Sequence, residues 1–308
     1  MSNKGDAKKD VTDANPNPVS DTDARYGTGY GGISSKEKFR TPVARTTILT
    51  EAELNSPYYK MDHARRGKAV IINNKEFRGN MGLGDRKGTD VDASVMYQRL
   101  QELDFDVTLE HNLTAKKMQD ILTNLSLEDH NDCDCLFVVV LSHGEDGVVF
   151  GTEGSVEVKK LFEPFKGNKC PSLAGKPKIF AIQACRGSQF DDGENLTVTD
   201  AEGVMEVDRP VRTQSIPAEA DFLVAYSVVP GYYSWRNSTN GSWFIQALSS
   251  ALEDKKLQDL DFLRLLTVVN RKVAYQFQSQ TSDPRMALKK QIPCITSMLT
   301  KEIYFTPK

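Results

Sequence analysis

The chain of 308 residues is short of several things, and each shortage excludes a class of function. It has no basic surplus: 39 Lys and Arg stand against 42 Asp and Glu, a net charge of −3, so neither nucleic acid nor an anionic membrane is expected as a partner. No apolar stretch nears the ~20 residues of a membrane span, and the opening MSNKGDAKKDVTDANPNP lacks the apolar centre of a secretory signal. A cytoplasmic location is therefore expected. The triplets Asn112-Leu113-Thr114 and Asn237-Ser238-Thr239 then count as accidents rather than glycosylation acceptors. The five cysteines, Cys133, Cys135, Cys170, Cys185 and Cys294, form no even framework and no paired C-x-x-C units, which removes a disulfide scaffold and a structural zinc site. No metal and no cofactor are expected. Histidine is scarcer still, at His63, His111, His130 and His143, so chemistry that needs an imidazole has few positions to draw on.

What is there falls into zones. Residues 1 to about 55 are rich in Asp, Asn, Pro, Gly and Ser, with too few spaced apolar residues to bury a core, and read as disordered. From Lys68 onward short apolar runs alternate with amphipathic ones: KAVIINN, VDASVMYQRLQEL, DVTLEHN, AKKMQDILTNL. The near-continuous apolar runs CLFVVVL and KIFAI are those of strands buried on both faces of a parallel sheet. After Gly187 comes an aperiodic polar stretch, about residues 188–217, a linker by composition. DFLVAYSVV, WFIQALSSALED, LDFLRLLTVVNRKVAYQFQ and CITSMLTKEIYF then resume the alternation. The expected fold is α/β, a mostly parallel sheet of about six strands with about five helices on both faces.

The chemistry concentrates at two strand ends. KIFAIQACRG (178–187) runs an apolar strand into Cys185, and DCLFVVVLSHG (134–144) runs another into His143. Functional groups gather at the carboxyl ends of strands in open α/β sheets, so a thiol nucleophile and a base are expected side by side. Gly144 allows close backbone approach beside them. The other four cysteines are read as inert packing, and His63, His111 and His130 as solvent-facing. A looser alternative is a dinucleotide-binding protein, since KAVIINN precedes the glycine-rich GNMGLGDRKG and Glu110 ends the next strand. Its glycines, however, spell G-x-x-G-x-G-x-x-x-G, and some fifteen residues separate strand from helix where a phosphate loop turns tightly.

The pentapeptide QACRG, with a histidine 185 − 143 = 42 residues upstream, resembles the local signature of the caspases. The likeness runs over about residues 56–308 and is closest to a short-prodomain executioner of the insect type. The resemblance implies a cysteine endopeptidase cleaving after aspartate. Cys185 would be the nucleophile and His143 the acid and base; the amides of Gly144 and Cys185 would form the oxyanion hole, and the Gly84 carbonyl would orient the imidazole. The aspartate pocket would draw Arg86 from GLGDRKGTDVDA, Arg236 from SWRN, and Gln183; bidentate guanidinium donors suit a desolvated carboxylate. Tyr233 and Trp235 would line the next pocket. Ser234, Arg236 and Asn237 would hold substrate backbone and an upstream acidic side chain, with Trp243 packing nearby, giving D-E-V-D-like preferences. The polar neighbours of Trp235 place its ring on a groove wall rather than in the core. Met286 stands where some relatives carry an aromatic.

The same resemblance implies a zymogen. TVTD ends at Asp200 before Ala201, EVD at Asp208 before Arg209, and SDTD at Asp23 before Ala24, with Asp13 a weaker site. Cutting would yield a prodomain of residues 1–23, a large subunit of 24–200 carrying the Cys/His pair and a small subunit of 201–308, assembled as a dimer of such pairs. Acidic-motif proteins would be its substrates, an upstream initiator caspase its activator, and inhibitor-of-apoptosis proteins would recognise the new amino-terminal Ala24. An arm of about 23 residues is too short for a folded recruitment domain. A catalytically inactive regulator is the remaining alternative, and it would have no need of Cys185, His143, Arg86, Gln183 and Arg236 together.

Overall fold

A computed structural model of the protein describes residues 50–78, 82–193, 217–281 and 283–308. Asp13, Asp23, Asp200 and Asp208, and most of the 188–217 linker, lie outside the described residues.

Six strands form one sheet: β1 Lys68–Asn73, β2 Asp106–His111, β3 Leu136–Leu141, β4 Lys178–Gln183, β5 Phe222–Tyr226 and β6 Cys294–Ser297, in the order β6-β5-β4-β3-β1-β2. β1 to β5 are mutually parallel, and only the edge strand β6 runs antiparallel. The all-apolar β3, LFVVVL, is buried along its whole length because both faces are covered. Alternation along the strands divides the core in two. Ala69, Ile71, Phe137 and Val139 face one cluster; Val70, Ile72, Val138 and Val140 face the other.

The helices follow from where apolar residues recur. α1 Glu51–Asn55, α2 Thr89–Glu102, α3 Ala115–Ser126, α4 Val158–Phe162, α5 Trp243–Glu253 and α6 Phe262–Gln276 succeed one another in the chain. The buried residues of α2, α5 and α6 close the first cluster, and those of α3 and α4 the second. Thr114 caps α3 by accepting from Lys117 N, and Asp261 caps α6 by accepting from Leu263 N and Arg264 N. α2 starts instead from Gly88, at φ 85°, with no side-chain cap, and Asp90 and Asp92 supply the acid its first turn favours. α1 and α4, five residues each, are too short to show a period, which is why the expected helix number falls below the six observed among the described residues.

Two of the histidines read as solvent-facing are not. His130 is fully buried, with Nε2 on the Leu125 carbonyl at 2.8 Å, and His63 pairs Nδ1 with buried Asp134 at 3.0 Å. Charged neighbours in sequence point away from the fold and say nothing about the ring between them. His111 is exposed as expected, and Cys133, Cys135 and Cys170 are buried packing residues.

Candidate active site

β3 and β4 are paired in parallel with Leu141 opposite Gln183, so His143 and Cys185 each lie two residues beyond matched strand ends. Their chains come so close that a β-carbon on Gly144 would sit 2.8 Å from the Cys185 carbonyl oxygen and 2.9 Å from that of Val148. Only glycine fits there. The His143 Nε2 lies 2.7 Å from the Gly84 carbonyl. A carbonyl can only accept, so Nε2 carries the proton and Nδ1 is left as the basic nitrogen. The Phe77 ring packs 4.6 Å from the imidazole, centroid to centroid. Burial lowers the His143 pKa, helped by Arg86 and Arg236 and opposed by the Gly84 bond. Burial likewise raises the Cys185 thiol, against a backbone hydrogen bond at Ser234 and the charges of Arg86 and Arg236. Both shifts favour the uncharged forms, a thiol beside a neutral imidazole.

A cationic pocket adjoins the thiol. Arg86, at 0% exposure, spends Nη1 on the Asn74 carbonyl at 3.1 Å and on Thr89 Oγ1 at 2.6 Å; its Nε and Nη2 have no partner among the described residues. Thr89 is itself fixed by donating to Asn73 Oδ1 at 2.8 Å. Arg236 Nε donates to the Lys87 carbonyl at 2.9 Å, which ties the hairpin of Arg236–Asn237 and Gly241–Ser242 to the start of α2. Gly88 makes the contact possible, since a β-carbon there would meet the Asn237 oxygen at 2.4 Å. Buried Asp92 accepts from Ser242 N at 2.7 Å and Ser242 Oγ at 2.6 Å, a second tie across the same junction. Burial, then the Arg236 charge, pushes Arg86 down to about 9, so it stays a cation at neutral pH; burial also lowers Arg236. Gln183 completes the wall, its Nε2 donating to Ser234 Oγ at 2.8 Å while Oε1 has no partner among the described residues.

A thiol, an imidazole oriented by a backbone oxygen, and two desolvated guanidiniums are a combination that comparison with known proteins accounts for. The Caspase domain family matches residues 66–304. The chain belongs to the caspases. It is 50% identical over 247 residues to Caspase-3 of Bos taurus, covering 80% of this chain and 87% of that one, and 48% identical over 247 residues to Caspase-7 of Gallus gallus, covering 80% and 79%. Among solved structures it is similar to Caspase-1 from Spodoptera frugiperda, with TM-score 0.77, 42% identity, 86% of this chain and all of that one covered. The protein is therefore a cysteine-type endopeptidase, an apoptotic caspase rather than a dinucleotide-binding protein or an inactive regulator. β1 ends at Asn73 and α2 begins at Thr89, with Arg86 between them, so strand does not turn directly into helix as a phosphate loop requires.

The remaining site residues divide by what they touch. Trp235 is only 8% exposed and stacks on Trp243 at 5.6 Å; Phe190 and Tyr233 pack against it at 5.8 and 5.2 Å, and Phe277 closes on Trp243 at 5.6 Å. The expectation of an open Trp235 ring is corrected: Trp235 and Trp243 are buried in the core, and Phe190, Tyr233 and Phe277 around them are half-buried. Asn237 is exposed and its Oδ1 accepts from Thr239 N and Asn240 N, shaping the turn of the hairpin. Met286 is half-buried and packs against the first core cluster. Sequence reasoning missed Asp92, Thr89, Ser227, Gln291 and Phe190. Asp92 was visible only as a first-turn acid, and Gln291, which accepts from Trp235 N at 2.7 Å and donates to the Ser227 carbonyl at 2.7 Å, joins segments more than fifty residues apart. No periodicity reports such a pairing.

Proposed function

We propose that the enzyme cleaves protein chains after aspartate, with D-E-V-D-like sites preferred, and that it is made as a zymogen. The observation that carries this reading is Arg86: a fully buried guanidinium with two donor nitrogens unpaired among the described residues, close enough to Arg236 and Cys185 to shift with their charge. A buried cation is costly unless something pairs it, and the planar group that matches two guanidinium donors is a carboxylate. Aspartate has the short reach the pocket wants beside the thiol.

In this reading His143 Nδ1 takes the thiol proton as the Cys185 sulfur attacks the carbonyl carbon of the aspartyl residue. The resulting oxyanion is held by the Gly144 and Cys185 amides. The imidazolium then gives its proton to the departing amine as the C–N bond breaks, leaving a thioester. Water, losing a proton to Nδ1, attacks the thioester, and the C–S bond breaks with the proton returned to sulfur. Because the pair begins uncharged, the thiolate is made when substrate is bound rather than held beforehand. Tyr233, backed by the buried Trp235, and Met286 serve the residue before the aspartate; Ser234, Arg236 and Asn237, backed by Trp243, serve backbone and the more distant acid.

Processing at Asp200, with Asp208 as a second cut, separates a large chain of 24–200 from a small chain of 201–308, and removal of 1–23 at Asp23 exposes Ala24. The mature form is a dimer of these pairs, working in the cytoplasm, switched on by an initiator caspase and restrained by inhibitor-of-apoptosis proteins. Processed enzyme assayed on peptides that differ only in the residue before the scissile bond, with Cys185→Ala as control, tests the specificity: aspartate is preferred by orders of magnitude, and equal cleavage after asparagine or lysine overturns it. Asp200→Ala tests the activation site; normal switching by an upstream caspase would refute it.

A further inference from the structure

Behind the pocket lies a line of hydrogen bonds that can run in either of two directions. Gln183 Nε2 donates to Ser234 Oγ at 2.8 Å, Ser234 Oγ donates to Ser227 Oγ at 2.9 Å, and Ser227 Oγ donates to the Ala184 carbonyl at 3.0 Å. The Ala184 amide donates to the same Ser227 oxygen at 3.3 Å in either direction. All of these side chains are buried, and Ala184 is bonded directly to Cys185. In this direction the amide oxygen of Gln183 is left as a buried acceptor without a partner among the described residues; Gln183 lies opposite Leu141 and Leu141 opposite Asn73, the neighbour of the Asn74 whose carbonyl holds Arg86. An acceptor is the wrong group to meet a carboxylate, which brings only acceptors of its own.

A half-turn of the amide repairs this at little cost, because each hydroxyl both gives and takes one bond. Ala184 N–H then donates to Ser227 Oγ, Ser227 O–H to Ser234 Oγ, and Ser234 O–H to Gln183 Oε1, freeing the Gln183 NH2 for the substrate. One bond, from Ser227 to the Ala184 carbonyl, is exchanged for one to the ligand. Two hydroxyl protons change sides, and the amide exchanges the positions of its oxygen and nitrogen.

We propose that Ser227 and Ser234 are positioning residues that form a reversible hydroxyl relay, one that turns the Gln183 amide to donate to the aspartate carboxylate and couples that capture to the backbone beside Cys185. This rests on the aspartate reading of the pocket. The two serines then have opposite effects. Ser234→Ala removes the donor that holds the amide in its carboxylate-binding direction. Ser227→Ala removes the acceptor that draws the Ser234 proton away, so Ser234 is left to donate to Gln183 Oε1 and the amide stays turned toward substrate. A hydroxyl with merely structural value has no such difference in sign.

The test is steady-state kinetics of the processed wild type, Ser227→Ala and Ser234→Ala on paired peptides ending in aspartate or asparagine before the scissile bond. Ser234→Ala is expected to raise KM for the aspartate peptide by roughly 3- to 10-fold, the scale of one neutral hydrogen bond, with kcat little changed; Ser227→Ala leaves KM level or lower. A rise of similar size in both overturns the relay. A wild type indifferent between the two peptides overturns the pocket reading itself, and the relay with it. Should either variant fail to fold, selectively 15N-glutamine-labelled protein with Cys185→Ala keeps the question open to answer. The Gln183 side-chain resonance, assigned through Gln183→Glu, shifts on titration with a tetrapeptide ending in aspartic acid under the proposal. A resonance that stays in place at saturation overturns it.

Discussion

Two arginines are buried to the same depth in this fold and do opposite things. Arg66, at 1% exposure, uses every nitrogen: Nε on the Leu103 carbonyl at 3.0 Å, Nη1 on Asp134 at 2.9 Å and Nη2 on the Thr306 carbonyl, with the Phe305 ring 5.6 Å from its guanidinium carbon. Asp134 also accepts from the His63 amide and from Lys308 Nζ at 2.7 Å. Arg86 uses one nitrogen of three. Depth alone therefore does not mark function. The difference is in what remains unpaired, because a satisfied buried cation is part of the architecture and an unsatisfied one waits for an outside partner.

Exchanging each arginine for methionine breaks the comparison apart most forcefully. Arg66→Met leaves Asp134 facing fewer cations inside the protein, and stability measured by chemical denaturation should fall by about 3 to 5 kcal/mol, with kcat/KM of the folded fraction nearly unchanged. Arg86→Met should do the reverse: kcat/KM on an aspartate peptide drops by roughly 10²- to 10³-fold, about 3 to 4 kcal/mol, and the melting temperature holds or rises because an unpaired charge leaves the interior. Gly144→Ala sharpens the picture from the other side of the thiol. The added carbon must push the Cys185 carbonyl away, and kcat is expected to fall by about 10²-fold with a smaller change in KM.

The smallest effect is on pH dependence. The His143 imidazole must be neutral to take the thiol proton, and burial holds its pKa below the ordinary value near 6.5. Activity should therefore rise with pH through a midpoint below that of free imidazole. An acid limb centred above 6.5 would mean that the ring is charged at rest, contrary to the neutral pair.

Much of this was legible in the chain itself. The apolar runs that became β3 and β4 announced a parallel sheet, and matched strand lengths set His143 and Cys185 level with each other. Arg86, Gln183 and Arg236 were visible through their motifs. The supports were not: Asp92 meets Ser242 and Gln183 meets Ser234 across the linker, and Gln291 reaches Ser227 from sixty-four positions away. Trp235 misled because polar neighbours in sequence said nothing of Trp243, stacked on its face from eight residues away. His130 misled for the same reason. Local pattern reports which face of an element is buried, whereas long-range polar contacts depend on how the elements are finally brought together.

The central proposal is that Nε and Nη2 of Arg86, unpaired among the described residues, read the substrate carboxylate. Its most direct test is competition between aspartate and asparagine peptides, measured as the ratio of kcat/KM values for wild type and for Arg86→Met. The ratio should be large in the wild type and collapse toward unity in the variant; a variant that keeps the wild-type ratio contradicts the account.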